Sequence, residues 1–139
     1  MMPDRRVPVL RLVGATLLIV GGAIHTWLAF DQYGTAGLET VFFLNGAASA
    51  VVAATIVLGR GLIAPVAGIG ISVASLFAFL MSRVGSGVVG FRATGLDPAP
   101  EALLTLVVEG SALVVLGLVA MADRQRLVSA VESARSDDR

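Results

Sequence analysis

Cysteine is absent from the 139-residue chain, which excludes disulfides, thiolate metal sites and CxxC redox chemistry. Lysine is absent as well: the ten basic residues are all arginine, and ten acids balance them to a net charge of zero. No basic surface for nucleic acid is available in such a chain. Charged residues reach only 14%, against about 25% in soluble domains. That is too little polar surface to keep a soluble fold in water. Histidine, tryptophan and tyrosine occur once each, so a metal site would have to be completed by carboxylates or by a methionine.

What the chain does have is apolar length. Hydrophobic residues make up 56% of it, and the mean hydropathy is +0.88. Four long runs, roughly Val9–Phe30, Leu38–Gly59, Leu62–Ser82 and Ala102–Ala122, fill most of the sequence. Crossing a hydrocarbon core about 30 Å thick takes about 20 apolar residues in a helix, and each run meets that length. The expectation is an all-α, integral membrane four-helix transmembrane bundle over residues 1–123, followed by a charged cytoplasmic tail at 124–139. Asp4-Arg5-Arg6 before the first run has the look of a secretion signal, even a twin-arginine one. The run is longer than the usual apolar stretch of such signals, and it ends in the bulky Thr26-Trp27-Leu28-Ala29-Phe30. A retained membrane helix is the expectation.

Arginine placement orients the helices. Arg5, Arg6 and Arg11 precede the first helix, Arg60 lies in the tight loop between the second and third, and Arg124, Arg126, Arg135 and Arg139 follow the fourth. With an even number of spans all of these fall on one side, leaving Arg83 and Arg92 on the other. The positive-inside rule then puts both termini in the cytoplasm of a multi-pass protein in the inner (cytoplasmic) membrane. The first outer loop, Asp31–Gly37, is turn-rich, and Gly59-Arg60-Gly61 forces a tight hairpin. The second outer loop, about Arg83 to Glu101, is long and rich in glycine and proline. Its Val88-Val89-Gly90-Phe91 is apolar enough to dip back into the membrane interface or to form a lid. Asp97-Pro98-Ala99-Pro100-Glu101 reads as the start of helix four. Past Ala122, Val128, Val131 and Ala134 suggest a short amphipathic helix ending in an irregular Ser136–Arg139. Trp27, Phe30 and Tyr33 suit an outer aromatic belt.

Small residues mark the helix contacts: Gly14, Gly21, Gly22 and Ala29 on helix one, Gly46, Ser49 and Ala53 on helix two, and Gly68, Ser72 and Ser75 on helix three. The polar exceptions within or beside the runs are His25, Glu39, Asn45, Arg83 and Glu109. Counting about 1.5 Å per residue puts His25, Asn45 and Glu109 about 8–11 Å below the outer ends. Arg83 and Glu39 sit at the mouth, and the inner half is nearly free of polar groups.

Each candidate has a structural and a functional reading. Glu109 either pairs with Arg83 or hydrogen-bonds to Thr105, or it accepts a proton or a cationic ligand. His25 either makes a helix–helix hydrogen bond or titrates or binds a metal, with Glu109 or Glu39 as further ligands; haem would need Met81 as second axial group. Arg83 snorkels to headgroups, clamps an anion or meets Glu109. Asn45 makes an interhelical hydrogen bond.

Gly22-Ala23-Ile24-His25, Phe42-Phe43-Leu44-Asn45, Ser82-Arg83 before a Gly-rich loop, and Val107-Val108-Glu109 give the chain, over about residues 12–120, a resemblance. It resembles a group of small, largely uncharacterised four-helix membrane proteins of actinobacteria. By topology it is also similar to DoxX-like membrane proteins. Neither resemblance implies an established reaction.

Three functions follow as expectations. The first is an accessory or binding protein, not an enzyme, with an outward polar pocket built by His25, Asn45, Arg83 and Glu109. The second is a membrane oxidoreductase subunit handling quinone or haem. The third is a small proton-coupled transporter. The lipid bilayer, a second copy of the chain and a partner membrane subunit are the expected partners.

Overall fold

The computed structural model describes residues 6–31, 37–59 and 61–137. Arg5, Arg60, Arg139, Tyr33 and the turn-rich 32–36 segment lie outside the described residues. Within them the chain forms four helices, α1 (Arg6–Asp31), α2 (Leu38–Leu58), α3 (Ile63–Met81) and α4 (Glu101–Asp137). All four are long and apolar enough to cross a membrane. In hydrocarbon a backbone has no water to bond, so an apolar run satisfies its amides internally as a helix.

The breaks fall where the sequence places glycine or acids at helix starts. Gly37 precedes α2 in the left-handed region at φ 72°, and Gly59 ends α2 in an extended conformation, its N–H held by the Thr55 carbonyl. Glu39 and Glu101 occupy the first turns of α2 and α4, where a negative charge favours the helix dipole.

Two boundaries differ from the expected ones. The first helix begins at Arg6, so Arg11 lies more than a turn inside it. The fourth does not stop near Ala122 but runs unbroken to Asp137. It takes in the charged tail, including Ser136 and Asp137, and at about 1.5 Å per residue it measures about 55 Å. From Arg124 to Ser136 α4 is exposed.

Helix α1 packs against α2 and α4, and α3 packs against α4 and α2, closing a ring of neighbours. Lipid tails are as apolar as leucine, so close backbone approach rather than hydrophobicity must hold such a bundle. The glycines permit it. A Cβ on Gly22 would lie 2.9 Å from the Ser49 side chain and 3.2 Å from Gly46 Cα; one on Gly68 would lie 2.7 Å from Leu116. The packing role read from the small residues is therefore the one they play. Ala15, Leu18, Ala53, Ile56, Ala112 and Leu116 form the central apolar layer.

Residues 82–100 cap the end of the bundle opposite the termini. Val88 and Phe91 exchange two backbone hydrogen bonds of 2.9 and 2.8 Å around Val89-Gly90, both at positive φ. This is the geometry of a tight hairpin turn. The turn aims Val88 and Phe91 down onto Leu28 and Leu38. The Ala93 N–H bonds the Ser82 carbonyl at 2.9 Å and ties the loop back to the end of α3. A Cβ at Gly87 would collide with the Phe91 carbonyl, so this position needs glycine.

Candidate functional site

Beneath that cap lies a cavity of about 90 Å³, lined by His25 and Leu28 of α1, Phe42 of α2, Phe79 of α3, Phe91 of the loop and Thr105 of α4. Its walls are mostly apolar.

The register of α1 and α4 explains which polar groups reach it. Gly14 faces Leu116 and Gly21 faces Glu109. Running antiparallel, the next turn sets His25 opposite Thr105, and both line the cavity. Both are buried, at 6% and 5% exposure. The His25 Nδ1 lies 2.8 Å from the Gly21 carbonyl. A carbonyl only accepts, so Nδ1 carries a proton, and in the corresponding neutral tautomer Nε2 is an acceptor. Phe42 meets the His25 ring edge-on, with centroids 5.5 Å apart, and fixes its plane. Among the described residues no hydrogen bond reaches Nε2 or the Thr105 hydroxyl.

Glu109 sits one turn deeper and is 2% exposed. Its carboxylate lies over Gly21, close enough that a Cβ there would come within 2.9 Å of Oε1. Neither structural partner expected for it is present. Among the described residues no ion pair or hydrogen bond joins Glu109 to Arg83 or to Thr105. The reason for Arg83 is geometric. At the end of α3, its Nε donates to the Gly95 carbonyl at 2.8 Å and its Nη2 to the Asp97 carbonyl at 3.0 Å. Nη1 donates to the Phe79 carbonyl and the Ser82 hydroxyl, and the guanidinium lies 3.4 Å over the Phe79 ring. Arg83 thus staples the loop to α3 and forms part of the cavity wall.

Asn45 makes the interhelical bond expected of it. Its Nδ2 donates to the Ser75 hydroxyl at 2.8 Å, and Ser49 donates to its Oδ1 at 3.3 Å. Ser75 lines the cavity from the other side. Glu39 is exposed on the first turn of α2 and stands apart from the group. The fold therefore gathers His25 and Glu109 on Gly21, links Asn45 through Ser75 to the cavity, sets Arg83 at its rim and leaves Glu39 outside. Thr105, considered from sequence only as a partner for Glu109, is a lining residue in its own right.

One buried ion pair is not anticipated by the sequence. At the terminal end Arg11 Nη2 and Asp123 Oδ2 form an ion pair of 2.6 Å, with side chains only 9% and 4% exposed. Arg11 Nη1 also donates to the Ile56 and Gly59 carbonyls. The inner half is thus not free of polar groups, and Arg11 serves as an internal clasp rather than a surface charge. A signal existed: Arg11 falls within the first apolar run and Asp123 directly follows the fourth, at the same end of an even-numbered bundle. Below Glu109, Leu18, Ile56, Leu116 and Val119 are almost completely buried and separate the cavity from this clasp.

Among the described residues no three His, Cys, Asp or Glu side chains gather as a metal site would need. No protein-family model, curated protein or solved structure matches the chain.

Proposed function

We propose that this multi-pass membrane protein is an accessory or binding protein whose loop-capped cavity holds a small ligand, with that end outward and both termini in the cytoplasm. The observation that carries the reading is the pairing of His25 and Thr105 across one cavity, each buried with hydrogen-bonding capacity left over. Buried polar groups are nearly always bonded in folded proteins, so two open ones facing one space are what a binding site provides. The apolar layer of Leu18, Ile56, Leu116 and Val119 supports a pocket over a conducting path. The arginine-rich terminal end supports the orientation. The inner membrane is the setting, and a second copy or a partner membrane subunit is the expected companion. The likeness to the actinobacterial group and to DoxX-like proteins belongs to the same proposal and rests on the short motifs around His25, Asn45, Arg83 and Glu109.

Native mass spectrometry of the gently purified protein tests the pocket. The wild type is expected to carry a small bound species that Ala78→Leu, which fills the cavity wall, loses while remaining folded. Equal loading of both proteins would remove the pocket from consideration. The absence of native cysteine gives a clean test of orientation. A single Ser86→Cys should react with an impermeant maleimide on intact cells, and a single Ser133→Cys only after lysis. The reverse pattern would invert the assignment.

A further inference from the structure

Resting on the reading of the cavity as a binding site, we infer that its ligand presents a hydroxyl on a single-ring apolar head, as a phenol does. The argument is one of donors and acceptors. With the proton of His25 committed through Nδ1 to the Gly21 carbonyl at 2.8 Å, Nε2 of the neutral ring can only accept. The Thr105 hydroxyl across the cavity has a proton to donate, and no described residue takes it. One group that donates to the first and accepts from the second completes both, and a hydroxyl does so with a single oxygen. A carbonyl or ether oxygen could only accept and would leave Nε2 bare; an ammonium could donate to Nε2 and to the Thr105 oxygen, but it would leave the Thr105 proton without an acceptor and bring a charge against mostly apolar walls.

The apolar part of the wall, apart from Ser75, Ser82, Arg83 and Asp97, selects the body attached to that oxygen. Leu28, Leu38, Phe42, Val88 and Phe91 present apolar and aromatic surface, and aromatic edges favour a ring set against them. The space of about 90 Å³ is smaller than the roughly 150 Å³ that houses benzene when closed on every side. It is only partly enclosed, so one ring enters with its far edge or a substituent left in the opening. The hydroxyl could belong to a free phenol or to the hydroquinone head of a membrane lipid, and the chemistry recognised is the same.

The single histidine provides the reporter. Full-length protein labelled with ¹⁵N-histidine in lipid nanodiscs is titrated with phenol, with toluene as the isostere lacking the hydroxyl, and with a decyl hydroquinone. Phenol is expected to move the Nε2 resonance saturably, and toluene is expected to bind more weakly and leave that resonance near its starting position. Tighter binding of the hydroquinone assigns the ligand to the lipid phase, and tighter binding of phenol to the aqueous phase. Thr105→Val should weaken phenol by about threefold to tenfold, the worth of one hydrogen bond, while leaving toluene unchanged. Thr105→Ser, which keeps the hydroxyl, should restore phenol binding; an unshifted ligand-free spectrum shows that each variant is folded. Equal binding of phenol and toluene would overturn the hydroxyl and leave the pocket standing. If neither binds, as when water alone bridges the two side chains, the pocket falls with it.

Discussion

At the terminal end Arg11 and Asp123 are buried together, and the guanidinium's remaining donors reach the Ile56 and Gly59 carbonyls. At the loop-capped end His25, Thr105 and Glu109 are equally buried, yet Nε2, a hydroxyl and a carboxyl group have no bond among the described residues. The same apolar bundle therefore treats polarity in two ways. Where charge is matched locally, it joins α1, α2 and α4 into one clasp. At His25 and Thr105 it is left open on residues that line a cavity, whereas Ser72 Oγ and Glu101 Oε2 are buried without a partner on residues outside that lining. The difference teaches that burial alone does not mark a site; unused bonding capacity beside a space does.

That contrast can be broken most severely at the clasp. Asp123→Ala would leave Arg11 buried without its counter-charge, which typically costs about 3–5 kcal/mol. The loss should appear as a lower midpoint in detergent-denaturation curves. Replacing both residues together with leucine or methionine should restore most of it, since an apolar pair of similar volume commonly matches a buried ion pair. Failure of the double variant to recover would mean that the carbonyl contacts of Arg11, not the pair, hold the end together.

A smaller effect is expected where the helices touch. Gly22→Leu inserts a side chain where even a Cβ would sit 2.9 Å from Ser49, and overpacking of this kind costs about 1–3 kcal/mol. The same denaturation curves should show it, together with loss of the Asn45–Ser75 geometry that α2 supports. Glu109 should behave unlike Asp123. No described partner is orphaned by its removal, so Glu109→Gln is expected to change stability by less than about 1 kcal/mol. A loss as large as that of Asp123→Ala would show that Glu109 is held by a strong contact and erase the distinction between the two ends.

The smallest expected effect lies in the cap. Val89 is a β-branched residue at φ 49°, a backbone region that such residues rarely occupy. Val89→Asn puts a residue tolerant of that conformation before Gly90, as tight hairpin turns favour. It should stabilise the loop by about 0.5–1 kcal/mol, read as slower amide exchange at Val88 and Phe91.

Much of this was legible in advance because it depends on local chemistry. Four runs of membrane length become four helices. Gly37 and Gly59 flank α2, and the glycines of α1 lie against α2 and α4. Asn45 was expected to bond across helices, and it does. What could not be read was which polar residue meets which. Arg83 and Glu109 are compatible in charge, but Arg83 sits at the rim and its donors are taken by loop carbonyls, while Glu109 lies two turns into α4. Arg11 groups with the arginines before the first helix when only charge placement is read, but α1 starts at Arg6 and carries it more than a turn inside, where it is buried. The tail was separated from helix four by composition, yet a change from apolar to charged side chains does not break a backbone that contains neither glycine nor proline after Gly117.

By itself, then, the sequence determined a four-helix membrane bundle, the small residues through which its helices approach, and two of its buried polar groups, His25 and Glu109. Hydrophobic length and side-chain size act along the chain or at a single position, and both can be counted from the letters. Only the tertiary structure decided that Arg11 closes on Asp123 and that His25 faces Thr105 beneath the 82–100 cap. Those pairings follow from the antiparallel register of α1 and α4, and a shift of one turn, about 5.4 Å, would leave every local preference satisfied and the cavity gone.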